Sequence, residues 1–123
     1  MNDVAAPEAL AQRPGVFTLV VRSKAALYAA WMPLLKGGGI FLPSNRVHAL
    51  GEEVLILLTL LDDPNKIPLQ GHVAWINPAH AAGNRPQGIG VQLNDGDVAR
   101  ELKKKVEGLL AGALQSSRPT HTI

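Results

Sequence analysis

Four histidines, at positions 48, 72, 80 and 121, are the side chains of this sequence best suited to bind a metal or move a proton. Such chemistry needs two or more groups at a spacing that brings them together. No two of these histidines share a metal-ligand spacing. Only His48 has a carboxylate four residues on, Glu52, and Gly51 lies between them in what reads as a loop, where no helix would align the pair. His72 reads as a strand residue and His80 as a loop residue. The adjacent carboxylates Glu52–Glu53 and Asp62–Asp63 stand at strand ends. Neighbouring side chains of a strand point to opposite faces, so both pairs read as turn and solvation residues.

Lys36-Gly37-Gly38-Gly39 invites comparison with a phosphate loop, but the lysine precedes the glycines and the G-x-x-x-x-G-K-[ST] spacing is absent. Three glycines ahead of a strand more often make a bulge or a tight lead into it. Serines 23, 44, 116 and 117 lack the G-x-S-x-G setting of a nucleophile elbow. With no cysteine there is no disulfide, thiolate metal site or cysteine nucleophile. The residues offer nothing for an enzyme, and neither metal nor cofactor is expected.

The elements that position these residues follow from composition and pattern. The chain has 123 residues, one domain's worth. With 46% apolar and 18% charged residues it reads as a packed globular protein. A net charge of +2 is no footprint for nucleic acid. The longest near-apolar run, Val54 to Leu61, is eight residues, against about 20 for a spanning helix. Met1 to Gly15 has no continuous apolar core of a signal peptide. A cytoplasmic location without membrane insertion is the expectation.

Residues 1–15 read as a loose lead-in, 16–114 as the folded domain and 115–123 as a tail. Val16 to Val21 is β-branched and aromatic, hence a strand. A short helix is expected near residues 23–32, with Ser23 as cap and Pro33 as stop. It carries Tyr28 and Trp31, two of the five aromatics. Tyr28 lies about 80° off the midline through Leu27 and Trp31, which makes it the better candidate for exposure. Ile40 to Leu42 is a short strand, and Glu53 to Leu61 is a strand covered on both faces. The turn residues Asp62 to Asn65 join it in a hairpin to Leu69–Ile76, where Leu69, Gly71, Val73 and Trp75 share a side. That places Trp75 in the core. In Gly88 to Asn94, Ile89, Val91 and Leu93 face in, and Gly88, Gly90 and Gln92 lie opposite, leaving a bare lane for a close neighbour. Val98, Leu102, Val106, Leu109, Leu110 and Leu114 form a helical stripe, with Asp95 or Asp97 as cap and Glu101–Lys105 as an i,i+4 pair. The fold class is all-β with a C-terminal helix, a small closed or nearly closed antiparallel barrel.

Four pieces in order carry a family likeness: Lys36-Gly37-Gly38-Gly39-Ile40-Phe41-Leu42, Leu50-Gly51-Glu52-Glu53-Val54, Gly71-His72-Val73-Ala74-Trp75-Ile76 and Gly88-Ile89-Gly90-Val91-Gln92-Leu93. Together they resemble the PilZ domain, with Leu93 where an aromatic is usual. The resemblance implies a six-stranded antiparallel barrel ending in a helix. Most such domains bind cyclic di-GMP through an R-x-x-x-R and a [D/N]-x-S-x-x-G motif. Here Arg22 is followed four residues later by Ala26, and Leu34 and Lys36 fall at the acid and serine positions, so only Gly39 matches. Arginine grips phosphate bidentately and stacks on bases; alanine and leucine do neither.

The departure is similar to a stand-alone PilZ subgroup of type IV pilus biogenesis, as are Lys24-Ala25-Ala26-Leu27-Tyr28 and Arg118-Pro119-Thr120-His121-Thr122-Ile123. For that subgroup the resemblance implies an adaptor in twitching motility, binding the pilus extension ATPase (PilB type) and an EAL-domain regulator (FimX type) that senses the nucleotide. The rival is a domain that takes cyclic di-GMP directly in a degenerate site. Tyr28, Trp31, Arg118, His121 and Ile123 are the candidate partner contacts, the last three on the tail.

Overall fold

The computed structural model describes residues 15–80, 83 and 85–111. Their elements are β1 (Val16–Val21), α1 (Lys24–Ala30), β2 (Gly39–Pro43), β3 (Glu53–Leu60), β4 (Ile67–Asn77), β5 (Gly88–Leu93) and α2 (Asp97–Leu109). The strands form one curled sheet in the order β1-β3-β4-β5-β2. The β-rich fold with a closing helix is as expected, with two corrections. The described residues hold five strands, where six were expected. β1 runs parallel to β3, Val16 opposite Leu55 and Val21 opposite Leu60. A parallel pair needs a crossover of a dozen or more residues, and the segment from Arg22 to Glu52, which carries α1 and β2, supplies it.

Local chemistry sets the ends of α1. Ser23 Oγ accepts from the Ala26 amide at 3.1 Å, satisfying one of the free N–H groups of the first turn. Trp31 leaves the helix extended, its N–H donating to Leu27 O at 2.9 Å. The Gly37 and Gly38 backbones have φ of 79° and 90°, a region that side chains avoid. The three-glycine run is therefore a tight turn into β2. A β-carbon on Gly38 would also strike the Trp31 ring.

One face of the sheet carries the core. Ile40 and Leu42, then Val54, Ile56, Leu58 and Leu60, then Leu69 and Val73, and Ile89, Val91 and Leu93 alternate inward. Leu27, Tyr28 and Trp31 cap this core from α1, and Leu102, Val106 and Leu110 from the α2 side. β3 lacks polar alternation over Val54–Leu58 because its outer residue Leu57 is buried as well.

β4 departs from its expected alternation. The pairing shifts between Val73, opposite Val91, and Trp75, opposite Gly90. The extra residue is Ala74, and a bulge of this kind changes which face the following side chain takes. Trp75 is thereby corrected from the core to the outer face, half-buried. There its Nε1 donates to Asn77 Oδ1 at 2.7 Å, and Asn77 Nδ2 donates to Pro86 O at 3.1 Å. The glycine lane of β5 behaves as expected. Phe41 pairs with Gly90 from the other side, and β-carbons on Gly88 and Gly90 would run into Phe41, Met32 and Trp75.

α2 buries Leu102 and Val106, but Val98 stays 48% exposed. Its cap position is Gly96, without a side-chain cap bond. Asp95 and Asp97 instead hold the Arg100 guanidinium at 2.7 and 2.6 Å. Lys105 Nζ reaches Asp63 at 3.1 Å, across to the β3–β4 turn, where Glu101 was the expected partner. Asp63 also accepts from the Asn65 N–H at 2.9 Å, which holds its carboxylate in place for the lysine. Residues 1–14, the stripe residue Leu114 and the whole tail lie outside the described residues.

Candidate interaction surface

The loop from Ser44 to Glu52 links β2 to β3, and its two ends are tied to the sheet. The Ser44 N–H donates to Gln87 O at 3.2 Å and the Gly51 N–H to Val73 O at 2.8 Å. Between them a side-chain chain forms. Ser44 Oγ lies 2.8 Å from His48 Nε2, and His48 Nδ1 lies 3.1 Å from Glu52 Oε2. The other carboxylate oxygen, Glu52 Oε1, accepts from the Ala49 N–H at 3.2 Å. The His48 ring also packs against Phe17, centroids 5.7 Å apart, and the Arg46 guanidinium lies 5.4 Å from the Phe17 centroid.

This corrects the reading of His48 and Glu52 as unaligned. A loop held at both ends presents residues four apart to one another without a helix. The signal was in the sequence as the even spacing of Ser44, His48 and Glu52, although nothing there fixed the loop's shape. The His48 bond, followed by the Ala49 amide, holds the Glu52 carboxyl below its ordinary value. Glu52 is thus a carboxylate at neutral pH, an acceptor that orients the imidazole.

Serine, histidine and carboxylate in this order resemble a nucleophilic relay. Here Ser44 Oγ also accepts from the Arg46 N–H at 3.2 Å, while the Ser44 N–H serves Gln87. These two amides are thus spent on holding the loop, and neither serves as one of the aimed donors that an oxyanion requires. The chain acts as a staple. It holds a loop on which Val47 is 99% and Leu50 68% exposed. Beside Val47 a shallow cavity of about 210 Å³ is lined by Arg46, Ile76, Pro78 and Gln87. Apolar side chains on a preorganised loop suit protein contact, since little freedom remains to be lost on binding.

Of the residues expected at the interface, Tyr28 and Trp31 lie away from this loop. Tyr28 is 7% exposed and Trp31 2%, so the expected exposure of Tyr28 is corrected. α1 sits between β1 and β2 and buries Leu27, Tyr28 and Ala30 together, a wider face than the stripe through Leu27 and Trp31. Arg118, His121 and Ile123 lie outside the described residues. Ala26 is exposed on α1, and Leu34 (76% exposed) and Lys36 lie on the turn into β2. Lys36 offers its backbone carbonyl to Gln92 Nε2 at 3.0 Å.

Among the described residues no group of three His, Asp or Glu is placed to hold a metal, and no helix is long and apolar enough to cross a membrane. The family model of the PilZ domain matches residues 17–112. A search of the curated proteins finds no match.

Proposed function

The chain belongs to the PilZ domain family, and from that premise we propose that it is a non-enzymatic adaptor of type IV pilus biogenesis and twitching motility. It works in the cytoplasm by binding the pilus extension ATPase and an EAL-domain regulator, and leaves the sensing of cyclic di-GMP to that regulator. One observation carries this reading. The three positions at which the family grips its nucleotide hold Ala26, Leu34 and Lys36. A dinucleotide with two phosphates needs guanidinium forks and hydrogen-bonding side chains. A methyl group on the first turn of α1 and a leucine that is 76% exposed provide neither. The Val47–Leu50 loop adds support, as a stapled apolar surface.

Calorimetry of the purified protein with cyclic di-GMP tests the negative half; the expected result is no saturable heat. Pull-down from a bacterial lysate, with and without the nucleotide, tests the positive half. The ATPase and the EAL protein should be retained, the latter in a nucleotide-dependent manner. Tight saturable binding of cyclic di-GMP to the isolated chain would favour the direct-binding alternative.

A further inference from the structure

A strand at the edge of a sheet exposes a row of backbone donors and acceptors, and natural proteins guard such edges with lysine, proline, bulges or a covering segment. The two edges of this sheet are β1 and β2. β2 is guarded: it ends in Pro43, Trp31 bridges to Ile40, and the Met32 N–H donates to Gly39 O at 2.8 Å. β1 reads Val-Phe-Thr-Leu-Val-Val, with no charge, proline or glycine.

The ladder shows which backbone groups of β1 are used. Gly15 O accepts from the Leu55 N–H and Val21 O from the Leu61 N–H, both at 2.8 Å. Odd-numbered positions therefore turn their amides and carbonyls to β3, and Val16, Thr18 and Val20 turn theirs outward. Among the described residues these outward groups have no hydrogen-bond partner. Their side chains lie on the outer face, where Thr18 is exposed and Val20 is 43% exposed.

We infer that this edge pairs with β1 of a second copy, antiparallel about a two-fold axis through Thr18. The outward residues Val16, Thr18 and Val20 read the same in both directions, so the register sets Thr18 against Thr18 and Val16 against Val20 of the second copy. Each of these pairs exchanges both hydrogen bonds, as the narrow pairs of an antiparallel ladder do. The charges match as well. Val16 is level with Leu55 in the β1–β3 register, so Arg22, just past β1, stands level with Glu53 of the second copy, two strands away. At a spacing of about 4.8 Å per strand the long side chains reach one another. Both residues are exposed, and neither has an ion-pair partner among the described residues. The symmetry makes two such pairs. A five-residue pairing, Val16 to Val20 of each copy, lies at the small end of specific interfaces, and the dimer is expected in the micromolar range.

Sedimentation equilibrium of the full chain across the micromolar range should show a reversible monomer–dimer equilibrium. Thr18→Pro removes an outward N–H without touching the β1–β3 ladder, and should raise the dissociation constant about tenfold or more. Arg22→Glu should weaken the dimer, and adding Glu53→Arg should restore it, so the inference does not depend on the proline variant folding. In hydrogen exchange the amides of Val16, Thr18 and Val20 should gain protection with concentration, while Phe17, Leu19 and Val21 are protected throughout. A monomer at every concentration would overturn the inference. So would a dimer indifferent to these substitutions, or concentration-independent protection at Val16, Thr18 and Val20, which would mean that another part of the chain covers the edge.

Discussion

Trp75 stands across from Gly90 on the outer face of the sheet, its Cβ 2.8 Å from the point a β-carbon on Gly90 would occupy. The same point is 2.6 Å from Met32 Sδ. Gly90 is therefore the floor of a small second cluster, in which Met32, Phe41 and Trp75 close over bare backbone.

Gly90→Ala should destabilise the protein by about 1–3 kcal/mol, the usual cost of forcing volume into a packed site. Gly108, inside α2 with nothing within 4 Å of a β-carbon, is the control. Gly108→Ala should stabilise by about 0.5–1 kcal/mol through helix propensity alone. Chemical denaturation of both variants checks the opposite signs.

Trp31 is 2% exposed in the main core, so Trp31→Ala should cost about 3–5 kcal/mol. Loss of partner binding in this variant should track the loss of folded protein. Binding measured at a temperature where the variant is still folded separates the two; weakened binding by fully folded protein would argue for direct contact.

The Glu52 carboxyl is lowered in the folded protein by the His48 hydrogen bond and then by the Ala49 amide. A lowered folded value stabilises above the unfolded value and is lost as the pH falls through the folded one. The contribution is thus complete at neutral pH and declines in acid, as the pH falls below the ordinary glutamate value and through the lowered folded one. Glu52 is partly exposed, so its worth is about 0.2–1 kcal/mol. Wild type should exceed Glu52→Gln by a constant margin near neutrality, and the margin should shrink in acid. Denaturation at a series of pH values checks the convergence.

Val47 is 99% exposed, so Val47→Glu should leave stability within about 0.5 kcal/mol. If the stapled loop meets a partner, the buried charge should weaken binding to the ATPase or the EAL regulator about tenfold, or roughly 1.4 kcal/mol. Titration calorimetry with each partner reads this directly; unchanged affinity for both would take the loop out of the interface.

The sequence by itself determined the elements and most of the inward faces. Period-two patterns in β5, the Ser23 cap, the Asp62–Asn65 turn and the stripe through Leu102 and Val106 act within a few residues, so local sterics and hydrogen bonding decide them. The family was legible for the same reason, since its glycines mark close approaches that no other residue allows. Only the tertiary structure decided the rest. Trp75 left the core because one extra residue at Ala74 reverses every face after it, and a bulge is a property of two paired strands. Tyr28 became buried because α1 fills the space between β1 and β2, which one helix's periodicity does not reveal. Ser44, His48 and Glu52 met because Gln87 and Val73, distant in sequence, hold the loop ends. Asp63 took Lys105 because a turn and a helix face one another only once the sheet has curled.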